Sequence, residues 1–457
     1  MEIDYKKLVS PYITTAINNL AEWIKIPSVL DNSSVKKGAP FGPEVQKALQ
    51  YIGQLAENDG FNVDYCDGYC TEISFGNGPR TIGIYAHADV VPATGNWKHP
   101  AFGGQIDQGK MFGRGTSDDK GPAMSAYYAL KALKDGNLIN NFRVVLVIGG
   151  NEENGSRCLD YYFHILKKPY ADFGFTPDGN FPLIYGEKAM SNFTLESDID
   201  FAPISEINAG LAGNLVIDQA IAKVQYDENI LPALETSGYS YQFVKEGARA
   251  VITIFGKSAH GSVPHLGDNA GLKLLAFLGE YYRLYPLTKI ARLFKDSTGH
   301  ELGVFCESEA LHQTTLNVGI ISYNNQHFSM LVNFRYPEIV EPVSTLAKIQ
   351  DESQPFVVNL KSEAPYLLFN PESSFIKTLL NVYQVETGDY THLPETIGGG
   401  TYAKEAKNTV AFGSAFPGRD DLIHSPDEHI HLSDFELSMA LYAHAIYDLG
   451  SKDALKI

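Results

Sequence analysis

The sequence predicts an α/β protein in which a discontinuous, mixed-sheet domain with helices on both faces is interrupted by an inserted α/β domain. Two observations favour this architecture. Buried strands alternate with amphipathic helices towards both ends of the chain, and the long middle segment is dominated by strands. A chain of 457 residues is long enough for two or three domains. The predicted boundaries place 1–187 and 369–457 in the first domain and 188–368 in the second.

The pattern of the first part of the chain predicts alternating helices and strands. Apolar spacing predicts a helix that Pro27 ends, a second over about 42–58 and a third that Gly121-Pro122 opens. Phe142–Ile148 is apolar on both sides and rich in β-branched residues, which is typical of a central strand of a parallel sheet. Together with the earlier strands it predicts a strand–helix–strand unit. These earlier strands are Glu72–Phe75 and Thr81–Ala86.

The middle segment changes pattern after Lys188. Alternating residues predict strands, and Asn324-Asn325 between two of them indicates a β-hairpin. The three clearest strands are Arg249–Phe255, Thr315–Ile321 and Phe328–Arg335.

Helical periodicity returns in the last part of the chain. Phe375–Val382 predicts a helix, and Thr409–Phe412 predicts a buried strand. The final helix is expected to begin at Ser433, with Glu436 completing a capping box, and to end near Gly450.

Composition excludes several classes of protein. The net charge of −18 argues against partners that are nucleic acids or anionic membranes. No apolar run reaches the roughly 18 residues that suggest a membrane span. The four cysteines are too few for a disulfide framework, and the start of the chain shows no apolar signal core. These features favour a cytoplasmic protein.

The candidate functional side chains share a location just after predicted strands. His87 and Asp89 follow one strand, and Glu152 and Glu153 follow the most apolar one. Because sites in parallel α/β sheets form at the carboxyl ends of the strands, we expect these side chains to meet. Asp178 follows another strand, while the pair Asp118-Asp119 precedes a helix and His424 precedes the last one.

Histidines with several carboxylates form a mixed nitrogen and oxygen ligand set. Such a set suits Zn²⁺, and Mn²⁺ or Co²⁺ as alternatives, and differs from a thiolate site. Five ligands with one bridging carboxylate would hold two ions about 3.5–4 Å apart. One further carboxylate would remain to act as general base.

Five motifs in order resemble those of the co-catalytic metallopeptidase family that includes carboxypeptidase G, aminoacylases, carnosinases and PepV-type dipeptidases. The resemblance spans nearly the whole chain. The motifs are His87-Ala88-Asp89-Val90-Val91-Pro92, Gly113–Gly121, Asn151-Glu152-Glu153, Ala259-His260-Gly261-Ser262 with Pro264, and the final His424.

The resemblance implies a role for each candidate metal ligand. Asp119 would bridge two divalent ions. The other ligands would be His87 and Asp178 at one ion, and Glu153 and His424 at the other.

The resemblance also implies the roles of the side chains around the ions. Glu152 would be the general base for a metal-bridged water, and Asp89 would clamp His87. The Asp119–Lys120 peptide bond would be cis, and Asp118 would have a capping or supporting role.

The resemblance further implies that 188–368 is a lid. His260 would polarise the scissile carbonyl, and Arg335 would bind the C-terminal carboxylate of the substrate. The Gly398-Gly399-Gly400 loop would approach the same carboxylate. Asn214 matches a motif of the PepV-type branch except that Ile217 replaces its proline. The length of the lid favours that branch, whose members act as monomers on dipeptides.

Other functions remain compatible with the same motifs. An N-acyl-amino-acid deacylase or an aminopeptidase would use the same metal core. A non-catalytic peptide-binding protein on this fold would be expected to have lost Glu152 or a ligand, and all are present. A serine hydrolase is disfavoured because the sequence has no G-x-S-x-G motif.

Overall fold

The computed structural model describes residues 3–420, 422–452 and 455–457, and the chain divides into two compact units. Unit 1 comprises Met1–Tyr185, Phe369–Glu395 and Gly400–Ile457, and unit 2 comprises Gly186–Leu368 and Thr396–Gly399. Both units combine helices with a β-sheet, and unit 2 interrupts unit 1, so the predicted α/β class is confirmed.

The chain begins with elements of unit 1 and passes into unit 2 through a short strand. In order they are α1 (Tyr5–Val9), α2 (Ile13–Ile24), α3 (Pro43–Asn58), β1 (Asn62–Asp64), β2 (Cys70–Gly76), β3 (Arg80–His87), β4 (Gln105–Asp107), β5 (Lys110–Phe112), α4 (Lys120–Asp135), β6 (Phe142–Gly149), α5 (Arg157–Asp160), β7 (Phe173–Thr176) and the connecting β8 (Ile184–Glu187).

Unit 2 follows with mostly antiparallel strands. Its elements are β9 (Ala189–Ser197), β10 (Ile204–Ala209), β11 (Gln219–Gln225), α6 (Ile230–Thr236), β12 (Ser240–Glu246), β13 (Arg249–Phe255), α7 (Ala270–Tyr281), α8 (Tyr285–Lys295), β14 (Glu307–Ser308), β15 (His312–Gln313), β16 (Thr315–Asn324), β17 (His327–Tyr336), α9 (Pro342–Glu352), β18 (Val357–Ala364) and β19 (Leu367–Leu368).

The last part of the chain completes unit 1, apart from Thr396–Gly399, which belong to unit 2. The remaining elements are α10 (Ser374–Thr387), β20 (Glu395–Ile397), β21 (Thr409–Ala411), β22 (His429–His431) and α11 (Leu432–Ser451). None of the described helices is long and apolar enough to span a membrane.

The main sheet of unit 1 is mixed, as predicted. Its order is β1-β2-β6-β3-β7-β21, and β8 joins β21 through Ile184 and Ala411. Strands β6, β3, β7 and β21 run parallel, whereas β2 pairs antiparallel with β6 and β1 pairs antiparallel with β2. The carboxyl ends of β6, β3 and β7 therefore meet at one edge of the sheet.

The sheet and its helices share one apolar core. Val144, Leu146 and Ile148 on one face of β6 and Val147 on the other are fully buried, which explains the unbroken apolar run of this strand. Burying each such side chain contributes about 1.5–3 kcal/mol. Helices α2, α3, α4, α10 and α11 contribute to the same core.

Unit 2 has its own sheet and its own core. The strand order is β12-β13-β11-β10-β16-β17-β9-β18, and each neighbouring pair is antiparallel. The predicted hairpin joins β16 and β17, but its two-residue loop is Asn325-Gln326, one position later than expected. Both loop residues have positive φ, at 52° and 64°, as a type I′ turn requires.

The start of the last helix differs from the prediction. Strand β22 runs directly into α11, so His431 occupies the N-cap position and makes no side-chain capping bond. The Ser433 hydroxyl instead donates to Asp434 within the first turn. The predicted capping box is therefore wrong, because the preceding strand sets the position at which the helix begins.

Candidate metal centre

Four of the predicted ligand or base residues lie at the carboxyl ends of three adjacent parallel strands. His87 is the last residue of β3, Glu152 and Glu153 follow β6, and Asp178 follows β7. Ligand atoms of three of them, His87, Glu152 and Asp178, lie within 4.8 Å of one another, whereas Glu153 lies with Asp118 and His424.

Asp118 lies between the two histidines. Its Oδ1 is 2.9 Å from Nε2 of His87, and its Oδ2 is 2.9 Å from Nε2 of His424. Glu153 approaches the same nitrogen of His424 at 3.1 Å. His87 is fully buried and Asp118 nearly so, whereas the His424 side chain is 37% exposed. One carboxylate thus connects two groups of ligands.

Asp119, the predicted bridging ligand, is directed differently from Asp118. Its Oδ2 accepts a hydrogen bond from the backbone N–H of His87 at 3.0 Å. It stands at the N-cap position of α4, and its carboxylate is directed at the end of β3 while that of Asp118 faces the histidines. The non-proline cis peptide bond is Asp118–Asp119, one residue before the predicted Asp119–Lys120 bond. The predicted position of the cis bond is therefore wrong by one residue, and the geometry favours Asp118 over Asp119 as the carboxylate that faces both histidines.

Asp89 supports two neighbouring segments at once. Nδ1 of His87 lies 2.9 Å from the Asp89 backbone carbonyl and 3.5 Å from its carboxylate. The same carboxylate accepts hydrogen bonds from the backbone N–H groups of Glu152 and Glu153, at 3.0 and 3.2 Å. Because Nδ1 donates to this carbonyl, Nε2 of His87 is the nitrogen directed at the carboxylates.

The electrostatics of the cluster are dominated by crowded carboxylates in a buried setting. Burial raises the pKa of Glu152 well above its usual range, and the nearby Asp178 and Glu153 add to this rise. Burial opposes the charged form of His424, but hydrogen bonds with Asp118 and Glu153 outweigh it and raise its pKa to about 11. Carboxylates this close together favour a cation among them.

The donor set fits divalent metal ions. Two groups of three residues each bring one ligand atom per residue within 4.8 Å: His87, Glu152 and Asp178 form one, and Asp118, Glu153 and His424 form the other. Imidazole nitrogens with carboxylate oxygens are ligands of Zn²⁺, Mn²⁺ and Co²⁺. A buried Oδ1 of Asp119 also has no protein partner among the described residues. The site is therefore rich in oxygen acceptors.

Unit 2 contains a second group of predicted residues. The Arg335 side chain, 4% exposed, donates from Nη1 to the carbonyl of Gly398 at 2.6 Å and from Nε to Asn333 at 2.7 Å. Burial lowers the pKa of its guanidinium to about 10. A buried cation bound to neutral oxygens is suited to an anionic ligand.

The segments of His260 and Asn214 are neighbours in unit 2. The carbonyl of Asn214 accepts from the N–H of Gly261 at 2.7 Å, and Leu215 pairs with His260 in an isolated β-bridge. Nδ1 of His260 lies 2.7 Å from the Ser262 hydroxyl, which orients the ring.

The residues of the glycine loop are divided between the two units. A Cβ at Gly398 would approach the Ser262 Cβ to 3.1 Å, so glycine favours this close packing. Gly398 and Gly399 belong to unit 2, whereas Gly400 belongs to unit 1.

Asp118 was given only a capping or supporting role by the sequence, although its carboxylate lies between the two histidines. Two adjacent aspartates before a helix look alike in sequence, and the resemblance pointed to the second as the bridge. No local signal separates the two, because Asp119 at the N-cap of α4 makes no side-chain capping bond and its carboxylate binds the backbone at the end of β3 instead.

Comparison with known proteins identifies the family. The pattern described as Peptidase family M20/M25/M40 matches residues 83–448, which include every predicted ligand. The chain belongs to this family of peptidases, and it is an enzyme that hydrolyses peptide bonds and depends on metal.

Relatives of similar length carry related names. Two proteins of Staphylococcus aureus, from strains bovine RF122 / ET3-1 and MRSA252, are each named "Putative dipeptidase". Each is 33% identical to this chain over 468 aligned positions, which cover 97% of this chain and 99% of the relative.

Solved structures share the fold at low sequence identity. The dipeptidase Dug1p of Saccharomyces cerevisiae superposes with a TM-score of 0.63 at 15% identity, covering 98% of both chains. Human carnosine dipeptidase 1 gives a TM-score of 0.59 at 14% identity, covering 97% of this chain and 98% of the other. At these identities the similarity concerns the fold.

Proposed function

We propose that this chain is a dipeptidase that holds two divalent metal ions and cleaves the peptide bond of unblocked dipeptides. The observation that carries the proposal is the position of Asp118, with one carboxylate oxygen 2.9 Å from each of the ring nitrogens of His87 and His424. A carboxylate in this position could contact two ions, one beside each histidine. Zn²⁺ is the first candidate, with Mn²⁺ and Co²⁺ as alternatives.

The residues divide into two ligand groups. His87 and Asp178 would hold one ion, Glu153 and His424 would hold the other, and Asp118 would contact both. When bound, the ions would act as Lewis acids that polarise the scissile carbonyl and make water a stronger nucleophile.

Glu152 is suited to proton transfer. Its carboxylate lies near His87 and Asp178, and Asp89 fixes its backbone N–H. Two cations beside Glu152 would favour its ionised form, which is the form that accepts a proton. In the proposed reaction it takes a proton from the attacking water and returns that proton to the leaving amine.

The unit 2 residues are proposed to bind the substrate. Arg335 offers a buried guanidinium for the C-terminal carboxylate, and Gly398 accepts one of its hydrogen bonds. His260, oriented by Ser262, would donate to the oxygen of the scissile carbonyl. Asn214 would support the His260 segment through its backbone. These roles, and the closure of 188–368 as a lid, are part of the proposal.

A dipeptide matches the charges of the two groups. Carboxylates such as Glu152 and Asp178 suit a free α-amino group, and Arg335 suits a carboxylate. The names of the S. aureus relatives point to the same substrate class. We further propose a monomer, from the length of the insert, and a cytoplasmic location, since all four cysteines are free thiols.

The test is hydrolysis of a small panel of substrates by chelator-treated protein before and after addition of Zn²⁺ or Mn²⁺. We expect release of amino acids from dipeptides only after metal is restored, together with a higher melting temperature, because the ions relieve repulsion among the carboxylates.

Each substrate in the panel distinguishes one alternative. Faster cleavage of N-acetyl amino acids than of dipeptides would indicate a deacylase, and efficient cleavage of tripeptides would indicate an aminopeptidase. Full activity after exhaustive chelation would contradict the two-ion proposal. Light scattering coupled to size exclusion tests the monomer.

A further inference from the structure

Glu428 is a buried carboxylate that the reaction does not use directly. It lies four residues after His424 and is fully buried. Its Oε1 accepts hydrogen bonds from the backbone N–H groups of Gly115, Ser117 and Asp118, at 2.9, 3.0 and 3.3 Å. Its carboxylate therefore binds the backbone of the loop that carries Asp118.

The same residue joins two segments that are distant in sequence. The backbone carbonyl of Glu428 accepts from the N–H of Gly113 at 2.9 Å, and the Ser117 hydroxyl donates to the carbonyl of His429 at 2.7 Å. The loop that ends in Asp118 is therefore tied at several points to the segment that carries His424.

Arg114 makes this connection an ion pair. Its Nη1 donates to Oε2 of Glu428, and both side chains are almost completely buried. The guanidinium also lies 5.2 Å from the centre of the Trp97 ring. A buried ion pair holds a fixed geometry well, because separating its members leaves a charge without compensation.

A second carboxylate extends the connection. Oδ1 of Asp427 accepts from the backbone N–H groups of Lys98 and His99, at 2.9 and 3.1 Å. The short segment after His424 thus binds two different loops through consecutive acidic residues. A site that holds two ions at a set separation requires its ligands to be held in place. These contacts hold both Asp118 and His424.

We propose that Glu428, paired with Arg114, is a positioning residue that sets the distance between Asp118 and His424 and thereby the affinity of the metal pair. This inference rests on the proposed two-ion function and adds to it a residue that acts through the ligands. Outer groups that orient ligands typically change metal affinity or activity by about 10–100-fold when they are altered.

The experiment compares Glu428→Gln with wild type in the full-length protein. After chelation, Zn²⁺ is titrated in competition with a coloured chelator of known affinity, and kcat and KM for a dipeptide are measured at saturating Zn²⁺. We expect Zn²⁺ to bind about 10–100-fold more weakly and kcat to fall while KM stays within about twofold, because the substrate-binding groups are untouched.

A matched control separates positioning from loss of stability. Glu386 is also a buried carboxylate paired with a cation, His444, and it lies outside both ligand groups. Glu386→Gln is expected to lower the melting temperature of the metal-free protein and to leave Zn²⁺ affinity unchanged.

A milder variant covers the case in which Glu428→Gln does not fold. Ser117→Ala removes one neutral hydrogen bond between the same two segments and leaves the ion pair intact. A loss of about two- to tenfold in Zn²⁺ affinity is expected.

The outcomes are distinguishable. Wild-type protein that binds no divalent ion would remove the proposed function itself. If wild-type protein binds Zn²⁺ and Glu428→Gln binds it equally well, the positioning role alone is overturned. That role is also overturned if Glu386→Gln weakens Zn²⁺ binding as much as Glu428→Gln does, or if folded Ser117→Ala shows no loss of affinity.

Discussion

The two groups of candidate site residues have opposite charge and are built in different ways. In unit 1, carboxylates outnumber histidines, and most of the side chains extend from loops at strand ends. In unit 2, Arg335 lies inside strand β17 and binds neutral oxygens of Gly398 and Asn333. The first group is rich in negative charge, whereas the second is a buried cation. The two groups therefore suit ligands of opposite charge.

The largest expected effect lies in the first group and distinguishes base from ligand. Glu152→Gln should reduce kcat by about 10²–10⁴-fold while metal content stays near wild type, because an amide cannot accept the proton. Glu153→Gln should instead lose metal, since Glu153 contacts His424. Metal analysis beside steady-state kinetics checks both, and the reverse pattern would exchange the two roles.

A second comparison concerns the adjacent aspartates. Asp118→Asn should lower activity and Zn²⁺ affinity by more than about 100-fold, because its carboxylate faces both histidines. Asp119→Asn should cost about 10–100-fold, as expected for a group that acts through the backbone of His87. Chelator competition measures both variants. A larger loss of affinity for Asp119→Asn would make Asp119 the bridging ligand after all.

A third prediction concerns the cationic group in unit 2. Charge-assisted hydrogen bonds contribute about 1.5–3 kcal/mol, so Arg335→Ala should reduce kcat/KM for a dipeptide by about 10–150-fold. Amidation of the C-terminus of the dipeptide should cost a similar factor. On the amidated dipeptide, the substitution should add little, because its partner is already absent. Effects that simply multiply would show that Arg335 does not bind this carboxylate.

The smallest effect lies outside both groups, at His444. Nδ1 contacts Glu386 at 2.8 Å, Nε2 lies 3.4 Å from Asp448, which Lys452 also contacts, and the ring stacks on Tyr5. Burial opposes the charge, but the hydrogen bonds with Asp448 and Glu386 raise the pKa of His444 to about 9.

The sign of the pH dependence follows from this raised pKa. The charged ring stabilises the fold fully below the unfolded value of about 6.5, and that contribution is lost as pH rises through about 9. We expect about 1 kcal/mol after screening by solvent. Urea unfolding of chelated protein at pH 6 and pH 10 should show the loss, and His444→Gln should reduce it. An unchanged pH dependence in His444→Gln would contradict this assignment.

The strands whose ends carry the unit 1 cluster could be predicted from the sequence, because buried strands have a clear apolar pattern. Phe142–Ile148 is the clearest case, and the positions of Glu152 and Glu153 follow from it. The sequence could not show which of Asp118 and Asp119 faces the histidines, because contacts with β3 determine where each carboxylate points.

Features that depend on distant partners were not accessible from the sequence pattern. The Ser433 capping box failed because β22 pairs with β5 and continues into the helix. In the sequence Glu428 is only a neighbour of His424, and its role depends on contacts with residues more than 300 positions earlier in the chain. Arg335 lies inside a strand, where an inward cation gives no periodic signal, so its proposed role came from the resemblance.

The strand order of unit 1 has a consequence for how the protein is made. Strand β21 lies between β7 and β8, although both of these are synthesised before unit 2 and β21 comes after it. During synthesis, the sheet of unit 1 therefore lacks an interior strand until β21 has left the ribosome. His424 and Glu428 leave the ribosome later still. Because domains generally fold as units during synthesis, unit 2 can fold before unit 1 is complete. Retention of metal by the nascent chain should consequently begin only in the last stage of translation.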